Sequence, residues 1–166
     1  MTDSVGPSKK PTTEELADEA RRSSPIGYFN FAETYRTAAR ALRKSKAKAS
    51  HKESPIRFLY YHSIELYLKA FLRAHDIHPR ELRSKKYGHD IGKLSRQSAT
   101  LGLSLDEEDV EVMRLMSETD AVIRSRYILT GFFRWPDIGA LDRTCKRLRQ
   151  SIAQELRVKG INVRLR

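Results

Sequence analysis

Residues 57–77 read RFLYYHSIELYLKAFLRAHDI, a composition typical of a helix in a protein core. Projected at about 100° per residue, the apolar side chains between Ile56 and Ala74 fill one broad arc. A second apolar group stands on the opposite side of the same helix: Phe58, Tyr61, Leu68 and Leu72. A helix with two apolar faces must bury both, so we expect it to lie at the centre of a bundle or between two subunits.

Ionisable residues follow one side of this apolar helix: His62, Glu65, Lys69 and Arg73. Glu65 lies three residues after His62 and four residues before Lys69, and both spacings bring side chains together on a helix. The sequence therefore predicts a local charge network centred on Glu65. Two interpretations stay open: a structural cluster that fixes how the helix docks, or a polar strip that lines a cleft between subunits.

Length and composition indicate one folded domain. The chain has 166 residues, of which 39% are hydrophobic and 32% charged. No apolar run approaches the roughly 20 residues of a membrane span, and the N-terminal residues lack the apolar region of a secretory signal. A single cysteine, Cys145, rules out an internal disulfide framework and fits a reducing compartment. We therefore expect a cytoplasmic protein without a membrane segment.

The net charge of +11 is the strongest global feature. It favours an anionic partner, with nucleic acid first and an acidic membrane surface or acidic protein second. The alternative is a basic protein that binds no anion. The one cysteine and five histidines show no metal-ligand spacing, so we expect neither a metal nor another cofactor.

The residue pattern divides the chain into a polar, mobile N-terminal tail (1–24), a helical domain (25–160) and a C-terminal tail (161–166). Within the first tail it indicates no more than a short acidic turn, at TTEELADEARR. Five helices are expected, over about 28–49, 54–75, 89–102, 104–127 and 137–159. Ser54 before Pro55, and Ser104 three residues before Glu107, are the expected starts of the second and fourth. The prediction is an all-α, up-and-down bundle of four to five helices.

Four pieces of the sequence, in this order, resemble the HEPN family: YYHSIELYLKAFL (60–72), YGHDIGKL (87–94), LGLSL (101–105) and RSRY (124–127). The resemblance implies a bundle of four or five helices that forms a homodimer. It also implies a metal-independent ribonuclease or a nucleic-acid-associated protein of a toxin–antitoxin or defence system, often beside a nucleotidyltransferase-type antitoxin partner.

Catalytic members of that family carry Arg-x(4–6)-His late in the bundle, where Arg neutralises the scissile phosphate and His transfers a proton. In this chain the arginines of that region are Arg124 and Arg126, and no histidine follows His89. We therefore expect an RNA- or nucleotide-binding dimer whose nuclease activity is doubtful. One alternative is an active metal-independent endoribonuclease that uses His89 or His62 with Arg126. A second is a non-catalytic dimer that binds an acidic protein.

The resemblance also implies a polar cleft near the dimer groove, for which the expected residues are Glu65, Lys69, Asp90 and Tyr127. His89 and Asp90 have a structural alternative, since Asp caps helix starts and a neighbouring His often bonds a loop carbonyl. Arg126 projects into the apolar arc of the fourth helix, so it is either a functional or buried paired residue or lies beyond the helix end.

Basic residues on three segments indicate an extended RNA-backbone surface. They are Arg36 and Arg40 in the first helix, Arg83, Lys85 and Lys86 in a loop, and Arg143, Lys146 and Arg147 in the fifth helix. Such a stripe is also typical of a solvated helix face. The segment GFFRWP (131–136) either closes one end of the bundle or offers aromatic faces to unpaired bases.

Overall fold

The computed structural model of the chain describes residues 11–46, 48–127 and 133–165. Its helices are α1 (Thr13–Arg22), α2 (Pro25–Lys44), α3 (Glu53–Ala74), α4 (Pro79–Arg83), α5 (Ile91–Thr100), α6 (Glu107–Glu118), α7 (Ala121–Arg124) and α8 (Ile138–Val158). No strand occurs in these ranges. The prediction of an all-α helical bundle is confirmed.

Helix α3 lies at the centre and contacts α2, α8, α5 and α7. Most of its broad apolar arc is buried, and on its second apolar side Tyr61, Leu68 and Leu72 are fully inaccessible, whereas Phe58 is half-buried. The structure thus shows the central position, and one chain covers most of the apolar surface of α3.

Local capping explains where the other long helices begin. The Ser24 hydroxyl accepts the Gly27 N–H ahead of Pro25, so α2 starts three residues before the predicted Tyr28. Asp90 caps α5 through the Lys93 N–H, as expected, and Asp137 caps α8. These caps place both helices within about two residues of the prediction.

Two predicted helix starts are wrong. Helix α3 begins at Glu53, ahead of Ser54, and its N-cap makes no side-chain hydrogen bond. Helix α6 is capped by Asp106, which exchanges hydrogen bonds with Asp109, and not by Ser104 with Glu107. A carboxylate caps as well as a hydroxyl and adds a charge that the helix dipole favours, which explains the later start.

The predicted fourth helix is broken in two. Helix α6 ends where the Thr119 hydroxyl bonds the Leu115 carbonyl and Asp120 takes a left-handed conformation with φ 47°. Only the short α7 follows, and it ends at Arg124. A left-handed residue cannot continue an α-helix, so the regular projection fails beyond this point.

Helix α1 lies within the segment assigned to the N-terminal tail. The Arg73 guanidinium donates to the carbonyls of Ser23 (2.9 Å), Ala20 (3.2 Å) and Ile77 (3.0 Å). His78 Nε2 lies 3.2 Å from the Leu16 carbonyl. The expected acidic turn is therefore a ten-residue helix joined to the bundle by hydrogen bonds, and Arg73 serves this attachment.

We predict that Arg73→Met loosens α1 while keeping an apolar stem on α3. Hydrogen bonds from a charged donor contribute about 1.5–3 kcal/mol each. The amides of residues 13–22 should therefore exchange at least about tenfold faster, as hydrogen–deuterium exchange mass spectrometry would show. The control is Arg21→Met, because Arg21 is exposed and pairs with Asp18 inside α1. Equal protection of α1 in the two variants would contradict the assignment.

Candidate functional site

The Glu65 cluster, which comprises Glu65, His62, Lys69 and His89, lies at the centre of the candidate site. The Glu65 side chain is 1% exposed. Its Oε2 lies 3.2 Å from His62 Nδ1, and its Oε1 lies 2.5 Å from Lys69 Nζ and 2.9 Å from His89 Nδ1. The predicted local network is confirmed, and the structure adds His89 from 24 residues away.

Two features of the backbone assemble the cluster, one for His62 and Lys69 and another for His89. His62 and Lys69 reach Glu65 because they stand one helical turn away on α3. His89 comes from the connection between α4 and α5, where Gly88 has φ 53° and Asp90 caps α5. That left-handed conformation suits glycine, and it sets the direction in which the following His89 leaves the backbone.

The Glu65 carboxylate is held in its ionised form. Burial alone would raise its pKa, but the hydrogen bond from His62, the charge and hydrogen bond of Lys69 and the charge of His89 outweigh burial and lower the pKa to about 2. Lys69 is buried as well. Lys69 therefore compensates Glu65 inside the protein and does not offer a charge at the surface.

Both histidine rings are oriented by the same carboxylate. Because ionised Glu65 only accepts, the Nδ1 atoms of His62 and His89 carry the protons that face it. Within the described part of the chain, the Nε2 atoms of these rings have no hydrogen-bond partner, and the side chains are 21% and 45% exposed. A ring held by Nδ1 with a free Nε2 is suited to accept or donate a proton, or to bind a phosphate oxygen.

Arg126 lies outside the Glu65 cluster and is linked to it only through Phe58. Its guanidinium stands 5.9 Å from the centre of the Phe58 ring, and Phe58 stacks on His62 at 6.1 Å. Arg126 is exposed after the end of α7, so the alternative that it lies beyond the helix end is correct and the projection into an apolar arc is wrong. Of the three candidate catalytic residues, His62 and His89 meet at Glu65, and Arg126 contacts neither histidine directly in the described ranges.

The other two residues expected in the polar cleft have different positions. Asp90 caps α5 and lies 3.5 Å from Lys93 Nζ, and it has no contact with Glu65. Tyr127 is 68% exposed and lines a different cavity. Of the polar cleft residues, only Glu65 and Lys69 belong to the cluster.

A second feature, the aromatic cleft, opens next to Arg126. It has a volume of about 780 Å³, and its main lining residues are Phe58, Tyr61, Arg126, Tyr127, Phe133 and Trp135. Trp135 packs 6.3 Å from Tyr61 and 5.6 Å from Phe133. Trp135 therefore both packs against the core and borders the cleft, while Gly131 and Phe132 of the predicted aromatic segment lie outside the described residues.

The predicted basic stripe on α8 is largely neutralised. Arg143 Nη2 lies 2.5 Å from Glu108, and Arg147 contacts three carboxylates of the α6 start at 2.6–2.9 Å. These carboxylates are Asp106, Glu108 and Asp109. The contacts lower the pKa of Glu108 to about 2. The acidic first turn of α6 packs on α8 and uses these arginines as partners.

The remaining predicted RNA contacts are scattered. Arg36 is 8% exposed, so its expected place on a basic face is wrong. Arg40 approaches Asp142 at 3.8 Å, Arg83 pairs with Glu19, and Lys86 pairs with Glu81. Lys85 and Lys146 are exposed without a carboxylate partner in the described ranges. Together these residues form no continuous stripe.

The sequence interpretation missed Phe58 and Tyr61 as site residues. Both were assigned to the second apolar side of α3 because helical periodicity does not separate a core face from the wall of a cleft. The sequence did contain one local indication of this site. Phe58 precedes His62 by four residues, and on a helix that spacing places an aromatic ring beside an imidazole.

Neither metal binding nor membrane insertion has a structural signature in the described ranges. No group of three or more His, Cys, Asp or Glu residues there could hold a metal ion. No helix there is both long and apolar enough to cross a bilayer. The chain matches no protein-family model, no curated protein and no solved structure.

We predict that Glu65 makes the stability of the protein depend on pH in the acidic range. Its folded pKa of about 2 lies below the ordinary value of 4.5, so its contribution is complete above pH 4.5 and is lost as the pH falls towards 2. That shift corresponds to about 3 kcal/mol. In urea denaturation, the difference in unfolding free energy between wild type and Glu65→Gln should shrink as the pH falls through this window.

The matched control is Glu14→Gln, since Glu14 is exposed on α1. This variant should differ from wild type by less than about 0.5 kcal/mol throughout. A Glu65→Gln difference that stays constant from pH 6 to pH 2 would show that the carboxylate is not stabilised by its neighbours.

Proposed function

We propose that the protein binds single-stranded RNA, or a nucleotide, along the surface that runs from the aromatic cleft to the Glu65 cluster. One observation carries the proposal. Arg124 and Arg126 stand over the rings of Phe133 and Phe58, at 5.5 and 5.9 Å, and neither has a carboxylate partner in the described ranges. Guanidinium groups without carboxylate partners beside aromatic rings are what an RNA strand with unstacked bases requires.

Charge supports RNA over a neutral ligand. The chain carries +11, and exposed cations stand in the last turn of α2 and in the connection that leads to α3: Arg43, Lys44, Lys46 and Lys48. No acidic residue occurs between 36 and 52. A strand bound at Arg126 has cationic side chains for its further phosphates on this side.

The HEPN resemblance adds the biological setting to this proposal. On that basis we propose a cytoplasmic homodimer of a toxin–antitoxin or defence system, with a nucleotidyltransferase-type partner. Since one chain already covers most of the apolar surface of α3, the proposed dimer rests on the resemblance alone. Sedimentation equilibrium at high protein concentration tests it, and a strictly monomeric protein would remove it.

We predict that the double variant Arg124→Ala/Arg126→Ala weakens RNA binding at least about tenfold. Each lost contact with a single strand should also reduce the slope of log K against log salt by about 0.7. Fluorescence anisotropy of a labelled single-stranded RNA at several salt concentrations measures both quantities. Arg143→Ala is the control, because the Arg143 guanidinium already pairs with Glu108. The RNA affinity of this variant should stay within about twofold of wild type.

Two outcomes would contradict the proposal. Equal losses in the double variant and in Arg143→Ala would indicate a diffuse electrostatic effect. The absence of any binding at low salt would favour the other class of function, a dimer that binds an acidic protein through its basic faces.

A second candidate function is metal-independent RNA cleavage, and the shared carboxylate favours it. His62 and His89 both turn Nδ1 towards Glu65, which leaves two Nε2 atoms without a hydrogen-bond partner in the described ranges. One ring would accept the proton of the 2′-hydroxyl while the other donates a proton to the leaving 5′-oxygen, and Arg126 would neutralise the phosphate. This pair differs from the late Arg-x(4–6)-His of the HEPN nucleases.

For this candidate we expect cleavage of single-stranded RNA in EDTA with 2′,3′-cyclic phosphate ends. His62→Ala and His89→Ala should each lower the rate at least about 100-fold, since acid–base catalysis contributes about 10²–10⁴-fold. The control is His75→Ala, because His75 pairs with Glu155 away from the Glu65 cluster. Cleavage that survives both cluster variants, or that needs Mg²⁺, would rule this candidate out.

A further inference from the structure

We infer that the aromatic cleft is a nucleobase pocket, in which one unpaired base inserts and bonds the Tyr61 and Ser125 hydroxyls through its edge. The inference deepens the proposed function and rests on it for the polymer, since a base can come from an RNA strand or from a free nucleotide. It specifies the ligand of the site as a single unpaired base whose phosphate is bound by Arg126.

Two hydroxyl groups without partners support this pocket. Tyr61 is 0% exposed, and its hydroxyl has no hydrogen-bond partner in the described ranges. The Ser125 hydroxyl is also buried and also lacks a partner there. Both residues line the aromatic cleft. A buried polar group without a partner is costly, and a ligand in this cavity would satisfy two of them at once.

Arg57 does not remove the need for a ligand at Tyr61. Its guanidinium donates to the Pro136 carbonyl through Nη1 and to Glu53 through Nη2, at 3.0 Å for the latter. Burial raises the pKa of the Tyr61 hydroxyl to about 12, and the charge of Arg57 and its weak hydrogen-bonding interaction with the hydroxyl offset part of this effect. Arg57 nevertheless makes no hydrogen bond of ordinary geometry to the Tyr61 hydroxyl. The hydroxyl therefore keeps its proton at neutral pH and can donate as well as accept.

The shape of the cleft suits a flat ring. Its volume of about 780 Å³ lies in the range of small-ligand sites. The rings of Tyr61 and Trp135 are inclined by only 28°, so they present surfaces of similar orientation. Phe58 adds a further aromatic face on which Arg126 rests. Stacking on such faces accepts any base.

A nucleobase fits this set of groups better than the other ligand classes do. A purely apolar ligand would leave both hydroxyls unpaired, and a neutral sugar, although its C–H face stacks on aromatic rings, would bring no anionic group to Arg126. A base offers a π-face for Trp135 and edge donors and acceptors for Tyr61. Its attached phosphate is anionic and meets Arg126, while Glu53, the carboxylate at this cleft, is paired with Arg57.

The single tryptophan of the chain is Trp135, so its fluorescence reports directly on this pocket. We would titrate the protein with the four nucleoside 5′-monophosphates, a single-stranded RNA and a blunt RNA duplex. We expect saturable quenching with the single strand, and with monophosphates at higher concentration, but not with the duplex. Tyr61→Phe, which removes one oxygen, should weaken binding about tenfold.

The matched control is Tyr60→Phe. Tyr60 is the neighbouring residue on α3, is equally buried and also lacks a hydroxyl partner, but it does not line the cleft. Circular dichroism and thermal melting of both variants would verify folding. The added nucleotides and RNA should quench the Trp135 fluorescence of Tyr60→Phe as they do in wild type.

The outcomes separate the pocket from the proposed function. If RNA binds by anisotropy but Trp135 does not respond, or if the two tyrosine variants bind equally, the pocket is overturned while RNA binding stands. If monophosphates quench and no RNA binds, the pocket is supported and its source is a free nucleotide. Quenching by the duplex equal to that by the single strand would overturn the inserted base.

Discussion

A carboxylate buried at the centre of the bundle is the constraint on which the structure depends. Glu65 is 1% exposed, and a lone charge at that depth would cost several kcal/mol. It is tolerated because Lys69, His62 and His89 supply its hydrogen bonds and compensate its charge. This requirement fixes the rotation of α3 and also the connection to α5, since His89 must reach the same carboxylate. His89, the most exposed of these partners, is therefore held in place by Glu65, the most buried member of the cluster.

Most of what the sequence predicted correctly depends on short spacing, although the caps expected at Ser54 and Ser104 were wrong. Apolar periodicity located the main helices, and Asp90 was expected as a cap, because caps act within one turn. The contact of Glu65 with His62 and Lys69 followed from helix geometry for the same reason. The contact with His89 did not, because a loop with a left-handed Gly88 makes it. The break between α6 and α7 was also missed, because it depends on the left-handed backbone of one aspartate.

The net charge predicted an anionic partner, but it could not identify which cationic side chains stay unpaired with carboxylates and can contact that partner. Arginines on α8 were expected to face solvent, yet the acidic start of α6, distant in sequence, takes up Arg143 and Arg147. Arg36 is buried. The periodicity of a helix shows which side faces the core, but it does not show how far around the helix neighbouring elements cover it. After these pairings, Arg124 and Arg126 are left beside aromatic rings. The proposed RNA surface thus follows from tertiary pairing of charges, which composition does not contain.

The shared carboxylate also connects the proposed RNA binding with the proposed proton transfer. Because Glu65 accepts from Nδ1 of both rings, it turns the same ring atom, Nε2, away from itself in each histidine. An Nε2–H that would bind a phosphate oxygen is also the group that would protonate a leaving oxygen. The proposed binding and the proposed cleavage would therefore differ in the placement of the strand and not in the side chains that they need.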